Sequence, residues 1–296
     1  MQVTDALQWF GVDRPLRRPV LVTAMGGWFD VAHAATNAID HLLDLDDADS
    51  ELVASIDPDP FYDFTQVRPE QRIDVDGERE IVWPENEFIA IRDHNATRDL
   101  VVFSGVEPHL NWRTWAECML VVYRRLACEA LVTIGAAAEA IPHTRVPPVV
   151  GSSADPRLAR ALGLSRPTYQ GITGLAGVLQ ERFEREGLPA VSLRVGVPHY
   201  LGNAEHPQST AALLRHLEHV LGTPTQHRTF DSEIVRWRGL HDDAVAEDHN
   251  ARLFVRSLET DFDRRAEAAL PTGDDLAADF QRYLDERRPD EPDDAG

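Results

Sequence analysis

Short apolar runs rich in β-branched residues recur along most of the chain. Several of them lack the polar alternation of a half-exposed strand, which is typical of strands buried on both faces of a sheet. Segments with apolar residues at helical spacing lie between these runs. The pattern predicts strands at 19–25, 51–56, 87–92, 99–104, 130–135, 146–151 and 190–197, and helices at 31–45, 111–128, 156–163, 172–187 and 208–221.

Strands that alternate with helices predict a mostly parallel sheet covered on both faces, which is a three-layer α/β/α fold. One segment departs from this pattern. Residues 72–83 carry Asp76-Gly77 between two alternating runs and predict a β-hairpin. An antiparallel hairpin of this kind would make the sheet mixed.

The character of the chain changes after Gly222-Thr223-Pro224. No β-rich run follows, and residues 230–285 are charged, with apolar residues at helical spacing. We therefore predict an α/β/α domain over 1–224, a helical appendage over 225–285 and a disordered acidic tail over 286–296.

The charge of the chain excludes several classes of function. Its formal net charge is −21, which argues against a partner rich in phosphates, such as nucleic acid or an anionic membrane. The 29 basic residues are all arginine, and lysine is absent. Without lysine there is no Schiff base, no pyridoxal phosphate anchor and no lysine-containing phosphate-binding loop.

The two cysteines, Cys118 and Cys128, are ten residues apart in the sequence. This spacing suggests neither a disulfide framework nor a metal site, so we expect buried thiols in a reducing compartment. The first residues lack a basic start with an apolar core, and no apolar run reaches the ~20 residues that span a bilayer. We therefore predict a cytoplasmic protein with no membrane partner.

Polar residues and glycines follow several predicted strands, where an open parallel sheet binds its ligands. Gly26, Gly27 and Asp30 lie between the first strand and the first helix. This turn could present backbone N–H groups to a phosphate, or it could be a tight corner with Asp30 as helix cap. Glu107 precedes a proline and could bind a sugar hydroxyl, act as a base or cap the helix at 111–128.

Three further loops complete a predicted ligand pocket. In "PHTR", His143 and Arg145 could together hold a carboxylate or a phosphate. His199 and Tyr200 follow the last predicted strand. Each of these histidines could equally be a hydrogen-bonded loop residue.

The loop "TYQGITGLAG" at 168–177 contributes Tyr169 and Gly171 to the predicted pocket. Its glycines flank a helix start and could present N–H groups to an anion, but they do not form the dinucleotide-binding pattern. Nucleophile-elbow and zinc-binding patterns are absent from the sequence, and the pairs His216/His219 and His241/His249 are interpreted as parts of solvated helix faces. We predict no catalytic residues, no metal and no cofactor.

Taken together, these segments resemble the proteasome assembly chaperone 2 family, in particular its actinobacterial branch, over about residues 19–222. The resemblance rests on Gly26-Gly27-Trp28 with Asp30 and Ala32, Glu107-Pro108 with Trp112, "PHTR", "YQGITG" at 169–174, and "VPHYL" at 197–201 followed by Pro207. It implies a phosphorylase/hydrolase-like α/β/α fold, assembly into homo-oligomers such as a trimer, cytoplasmic residence, and work as a chaperone or proteasome adaptor.

The resemblance has one departure at the end of the chain. Proteasome-binding relatives end in a hydrophobic-Tyr-X tripeptide, whereas Tyr283 is followed here by an acidic segment. Insertion of a terminal carboxylate into a proteasome pocket is therefore not expected. The helices at 225–285 offer an alternative surface for another protein.

Two hypotheses of function follow. The first is a non-catalytic, oligomeric assembly or scaffold protein whose appended helices give partner specificity. The alternative is a small-molecule protein, binding or enzymatic, in which His143, Arg145 and His199 hold an anion and Glu107 holds a hydroxyl. Carboxylate–amine ligase activity is disfavoured by the missing lysine and by the lack of a magnesium-binding acid cluster beside a glycine-rich loop.

Overall fold

A sheet of eight strands forms the centre of the protein, and a separate two-stranded hairpin stands beside it. The structure, a computed structural model, describes residues 3–45, 48–93, 96–202 and 204–268. The strands in this part of the chain are β1 (Leu7–Trp9), β2 (Val20–Thr23), β3 (Ala48–Ile56), β4 (Glu70–Ile73), β5 (Arg79–Val82), β6 (Glu87–Asp93), β7 (Leu100–Ser104), β8 (Ala130–Glu139), β9 (Val149–Ser152) and β10 (Ala190–Pro198).

The strand order in the central sheet is β1-β3-β6-β7-β2-β8-β10-β9. The strands β7, β2, β8 and β10 are parallel to their neighbours within this group. The strands β1, β3 and β6 extend the sheet beyond β7, and β9 extends it beyond β10, in each case through antiparallel pairs. The predicted mixed sheet of an α/β fold is confirmed, with its parallel strands in the middle.

Helices cover both faces of this sheet. Several of them begin and end at the expected residues: Asp155 caps α4 ahead of Pro156, and Gly163 and Gly222 adopt positive φ angles after α4 and α6. The helices are α1 (Val3–Ala6), α2 (Thr36–Leu43), α3 (Trp112–Arg125), α4 (Pro156–Leu162), α5 (Leu175–Arg185), α6 (Pro207–Leu221), α7 (Asp231–Glu247) and α8 (His249–Ala268), with 3-10 turns at Val31–His33, His199–Leu201 and His227–Phe230.

The core has two halves, one on each face of the sheet. Neighbouring residues of a strand point to opposite faces, and Leu21 and Val22 accordingly belong to different halves. Leu21 packs with residues of α3 and α5 such as Trp115 and Phe183. Val22 belongs to the half that contains Leu213 of α6. The three-layer arrangement follows from this division.

The predicted hairpin is confirmed, but it does not join the central sheet. Its strands β4 and β5 pair only with each other, and Gly77 turns the chain with a φ of +84°. The central sheet is mixed because of β1, β3, β6 and β9. The expectation that the hairpin makes it mixed was wrong, because the hairpin has no strand partner in that sheet.

The described part of the chain divides into two compact units between Asp242 and Asp243. The predicted boundary at 224/225 lies earlier, since α7 runs through Asp242 without a break. Residues 269–285 of the predicted appendage and the predicted tail at 286–296 lie outside the described residues. Among the helices that the structure describes, none is long and apolar enough to span a membrane.

Candidate functional site

The turn at Gly26-Gly27 brings two loops together after β2 and β7. The N–H of Gly26 donates to the carbonyl of Gly105 at 3.0 Å, and the N–H of Glu107 donates to the carbonyl of Gly26 at 2.9 Å. Gly27 has a φ of +142°, and a Cβ there would lie 3.3 Å from the Cβ of Glu107. Glycine is therefore needed at position 27 for its backbone conformation and for the close approach of Glu107.

Asp30 organises the start of the first long helix. Its side chain is buried, Oδ1 accepts from the N–H of Ala35 at 2.8 Å, and Oδ2 accepts from the hydroxyl of Thr36 at 2.5 Å. The helix predicted over 31–45 consequently begins at Thr36, after a 3-10 turn in which Ala32 and His33 have positive φ. Both carboxylate oxygens of Asp30 are bound within the fold.

Glu107 occupies the N-terminus of α5. Its Oε1 accepts a hydrogen bond of 2.7 Å from the N–H of Leu175. A Cβ at Gly174 would lie 2.9 Å from the same oxygen, so the glycine admits the carboxylate. The helix end that could have accepted an external anion thus holds an internal one, which also complements the positive end of the helix dipole.

A cleft of about 450 Å³ lies at this turn, and we name it the tryptophan cleft. Its lining includes Gly26, Gly27 and Glu107 of the predicted pocket, together with Trp28, His109 and Trp112. The loop before α5 lies alongside, because Trp28 approaches Gly174. In that loop the hydroxyl of Tyr169 donates to the carbonyl of Ile172 at 2.9 Å, and Gly171 has a φ of +151°.

His143 and Tyr200 form the centre of a second group, which follows β8 and β10. The ring of His143 is fully buried, and its backbone N–H donates to the hydroxyl of Tyr200 at 2.8 Å. Its Nδ1 is 2.6 Å from the same hydroxyl, and its Nε2 is 3.2 Å from Oδ1 of Asp242. In the neutral ring, Nε2–H donates to the carboxylate of Asp242 and the tyrosine hydroxyl donates to Nδ1.

His206 lies in the same group and was not predicted. Ser209 donates to the carbonyl of Gly196 at 2.8 Å, so its oxygen accepts from Nδ1–H of His206 at 2.6 Å. The Nε2 of His206 is buried and has no hydrogen-bond partner among the residues that the structure describes. Burial, and then the electrostatic influence of the neighbouring His143, His241 and Arg238, lowers the pKa of His206 to about 3. His206 is therefore neutral in the folded protein.

The first half of α7 joins this group through an aromatic stack. Trp237 stacks on His241 at 3.6 Å between ring centroids and meets His206 edge-on at 4.6 Å. His143 lies 6.1 Å from His241, centroid to centroid. His241 was interpreted as part of a solvated helix face; its ring is partly buried against Trp237. The signal in the sequence was the i,i+4 spacing of Trp237 and His241 on one helix.

Arg145 and His199 lie at the border of this group. The carbonyl of Arg145 accepts from the side-chain amide of Gln208 at 3.0 Å. The exposed ring of His199 donates from Nδ1 to the carbonyl of Glu139 at 3.0 Å and meets Tyr200 edge-on. The structure thus brings His143, His199 and Tyr200 into contact, with Arg145 two residues along the chain from His143.

Six of the ten predicted residues therefore fall into two groups at neighbouring strand ends. Gly26, Gly27 and Glu107 line the tryptophan cleft, whereas His143, His199 and Tyr200 surround the end of β10. Whether they bind a ligand stays a prediction.

The cysteines lie in the core and supply no nucleophile. Both are buried, and burial raises the pKa of the Cys118 and Cys128 thiols to about 12. In the described part of the chain, no group of three His, Cys, Asp or Glu side chains could hold a metal ion.

Comparison with known proteins places the chain among close structural relatives. The model of the PAC2 family matches residues 24–240. A PAC2 family protein from Streptomyces avermitilis is 35% identical, with a TM-score of 0.73, over 80% of this chain and 99% of that one. A proteasome-assembly chaperone homologue from Mycobacterium tuberculosis is also 35% identical, with a TM-score of 0.72 and the same coverage.

More distant structures share the fold. An archaeal proteasome activator from Pyrococcus furiosus is 17% identical, with a TM-score of 0.61, over 81% of this chain and 98% of that one. The comparison with curated proteins gives no match.

Proposed function

This chain belongs to the PAC2 family, and from that membership we propose that it is a non-catalytic assembly or chaperone-like protein that acts by binding other polypeptides. The observation that carries the proposal is its 35% identity, over 80% of its length, to the proteasome-assembly chaperone homologue of Mycobacterium tuberculosis. The proposal also includes a cytoplasmic location, which suits its two buried thiols.

The internal hydrogen bonds of the polar loops support a non-catalytic role. Asp30 and Glu107 each bind a helix N-terminus, and His143 is buried between Tyr200 and Asp242. A general base must reach its substrate, directly or through one water. Side chains engaged in this way favour a structural role over catalysis.

The helix α7 supports a role in partner binding. None of its residues is buried, and its apolar side chains Val235 and Leu240 are more than two-thirds exposed. Apolar side chains in such positions favour contact with another protein. We propose that this helix contributes to partner specificity.

Self-association is the second part of the proposal. We propose that the chain forms a homo-oligomer, with a trimer as the first arrangement to test. Sedimentation velocity of the purified protein over a range of concentrations measures its mass. A monomer at every concentration would contradict this part alone.

The assembly role is tested by reconstitution. Purified proteasome α- and β-subunits from the source organism would be mixed with and without the protein, and assembled particles would be measured on native gels. We expect faster assembly with the wild type and a smaller effect with a Val235→Asp, Leu240→Asp double variant. The control Arg236→Gln lies on the same helix and should act like the wild type. No effect of the wild type would overturn the proposal.

The small-molecule alternative makes a different prediction. A ligand present at 100 times its dissociation constant stabilises a protein by about 2.7 kcal/mol. Thermal-shift measurements with nucleosides, inorganic phosphate and small carboxylates would detect such a ligand. Stabilisation of the wild type but not of Arg145→Ala would favour the alternative, and no stabilisation would favour the assembly role.

A further inference from the structure

The hairpin formed by β4 and β5, which we name the arm (residues 70–82), has one face on which two isoleucines lie beside Gln71 and Arg79. We call it the apolar face. Residues opposite each other in an antiparallel pair share a face, so the register Gln71↔Ile81 and Ile73↔Arg79 puts the two isoleucines together. Ile73 is 64% exposed and Ile81 is 46% exposed. Val75 and Trp83 continue the same alternation and are also exposed.

An isolated two-stranded hairpin is only marginally stable in water. On the apolar face, Ile73, Val75 and Ile81 are exposed, and Trp83 meets Phe64 edge-on at 4.9 Å between ring centroids. The other face carries Arg72 opposite Glu80. Exposed apolar surface framed by charged residues typically marks a binding surface for another molecule.

A cleft of about 510 Å³, which we name the acidic cleft, lies between β5 and the edge strand β1. Isoleucine and tryptophan side chains of the arm and its base, Ile81 and Trp83, line it together with Leu7 of β1. Among the described residues that line the cleft there is no arginine or histidine, whereas five carboxylates line it: Asp5, Asp57, Glu80, Glu85 and Glu87.

Four of these carboxylates, Asp57, Glu80, Glu85 and Glu87, form no ion pair within the described chain. The nearby Arg72 is bound to Glu70 at 2.9 Å and also interacts electrostatically with Glu80 and Glu85. Burial, together with the charge of Glu85, raises the pKa of Glu87. A cation in the cleft would relieve this repulsion, and the net charge of −21 would attract a basic partner over longer distances.

The edge of the sheet beside the cleft fits the backbone of an extended polypeptide. β1 is the last strand of the sheet, and just outside it the carbonyl of Ala6 accepts from the N–H of Asp57 and the N–H of Phe10 donates to the carbonyl of Val53. Because these directions alternate along a strand, the C=O of Leu7 faces the open edge, where a further strand can donate to it.

We propose that the acidic cleft and the apolar face of the arm bind an extended segment of a partner protein in which apolar and basic side chains alternate. The apolar side chains contact Ile81 and Trp83, and the basic ones meet the carboxylates. The segment's backbone pairs with β1. The proposal rests on the proposed function only in that the ligand is a protein.

The probe for this site is a synthetic peptide of about eight residues, long enough to follow the arm, in which arginine and valine alternate. Binding of the labelled peptide to the full-length protein is measured by fluorescence anisotropy. We expect saturable binding that weakens as salt rises from roughly 50 to 300 mM. A peptide of alternating glutamate and valine should not bind.

Matched variants locate the site. Glu85→Gln with Glu87→Gln should weaken binding at least about fivefold, and Ile81→Ser should weaken it with little effect on stability because Ile81 is exposed. The control Glu129→Gln with Glu181→Gln removes the same charge from exposed positions on other elements and should bind within about twofold of wild type. Equal weakening by both double variants would overturn the proposal, since it would show attraction to net charge alone.

Two other results would replace the partner segment by a different occupant. Spermine that binds as tightly as the arginine–valine peptide would assign the cleft to free polyamines. The arm would instead bind a second copy of the chain if two results are found together. The wild type would form an oligomer and not bind the peptide, and the Ile73→Asp, Ile81→Asp double variant would be a monomer.

The peptide and reconstitution experiments fail independently. If the peptide does not bind while the protein still speeds proteasome assembly, the cleft proposal fails and the proposed function stands. If the peptide binds but assembly is unaffected, the proposed function fails and the cleft proposal stands.

Discussion

At the scale of single residues, the polar side chains of the loops are bound mainly by the protein's own groups. Gly27 lets Glu107 approach the turn, and the rings of His143 and His206 are buried among hydrogen-bond partners and aromatic neighbours. Such positions tolerate little change, because a buried polar group that loses its partner costs about 1–3 kcal/mol. Substitutions here should therefore affect stability directly.

Gly27→Ala should destabilise the protein by about 1–3 kcal/mol, because alanine is strained at a φ of +142° and its Cβ would meet Glu107. Urea unfolding followed by tryptophan fluorescence measures this change. Gly239→Ala is the control: it lies in α7 with open space around it, and alanine should stabilise the helix by about 0.5–1 kcal/mol. A Gly27→Ala protein as stable as the wild type would contradict the role of the turn.

His206 should make stability depend on pH. Its pKa is about 3 in the fold and 6.5 ordinarily, so between these values the unfolded chain binds a proton that the folded protein excludes. Stability is therefore lost as pH falls below about 6.5, by up to about 1.4 kcal/mol per pH unit.

Urea unfolding between about pH 7.5 and pH 5 tests this, because His206→Gln should remove about 2 kcal/mol of the loss. His216→Gln on α6 is the control and should keep the pH dependence of the wild type. The same pH dependence in all three proteins would show that His206 is not the group responsible.

At the scale of elements, α5 illustrates how one side chain can set the start of a helix. The N-terminal residue of α5 donates to Glu107 from another segment of the chain, and Gly174 leaves the space for that carboxylate. The helix thus depends on a loop that is distant in the sequence. Its stability and the position of Glu107 are therefore coupled.

Glu107→Ala should destabilise the protein by about 1–2 kcal/mol, since the helix loses its cap and a favourable charge. Glu107→Gln keeps an acceptor oxygen and should cost about half as much. Urea unfolding gives the free energies, and hydrogen exchange of the first amides of α5 shows where the effect lies. Unchanged exchange in the alanine variant would contradict the capping role.

The sequence allowed prediction of the elements whose signal is local. Continuous apolar runs identified β2, β7, β8 and β10, and Asp76-Gly77 identified the arm. The start of α2 could not be predicted, because it depends on a turn with positive φ at Ala32. The separation of the arm from the central sheet could not be predicted either, since strand pairing depends on tertiary contacts.

The candidate site was predictable in part for the same reason. The loops at strand ends were found because parallel strands gather their carboxyl ends at one edge. His206, Trp237 and His241 were missed because their contacts join segments far apart in the sequence. The hydrogen bond between Glu107 and the N-terminus of α5 could not be predicted either, since its partner lies 68 residues away in the sequence.

At the scale of the whole molecule, both cysteines are buried in one half of the core, on one face of the central sheet. Both thiols belong to the half that contains Leu21, Trp115 and Phe183. They can react only when this core opens.

A thiol reagent at about pH 8 should therefore label Cys118 and Cys128 very slowly, because their pKa of about 12 leaves few thiolates and both are buried. Absorbance of the released thiol product measures the rate, which should rise through the urea unfolding transition. Ser232→Cys adds an exposed thiol and should react at once. Rapid labelling of the native cysteines would show that the core opens locally.

The position of β10 in the sheet has a consequence for synthesis of the chain. β8 ends at Glu139, but its neighbour β10 is complete only at Pro198, 59 residues later. At roughly 5–20 residues per second, the ribosome leaves one edge of β8 without its strand for about 3 to 12 seconds. Until then the nascent chain exposes a long apolar strand edge, which is a site of aggregation. Pairing of β10 with β8 ends this exposure.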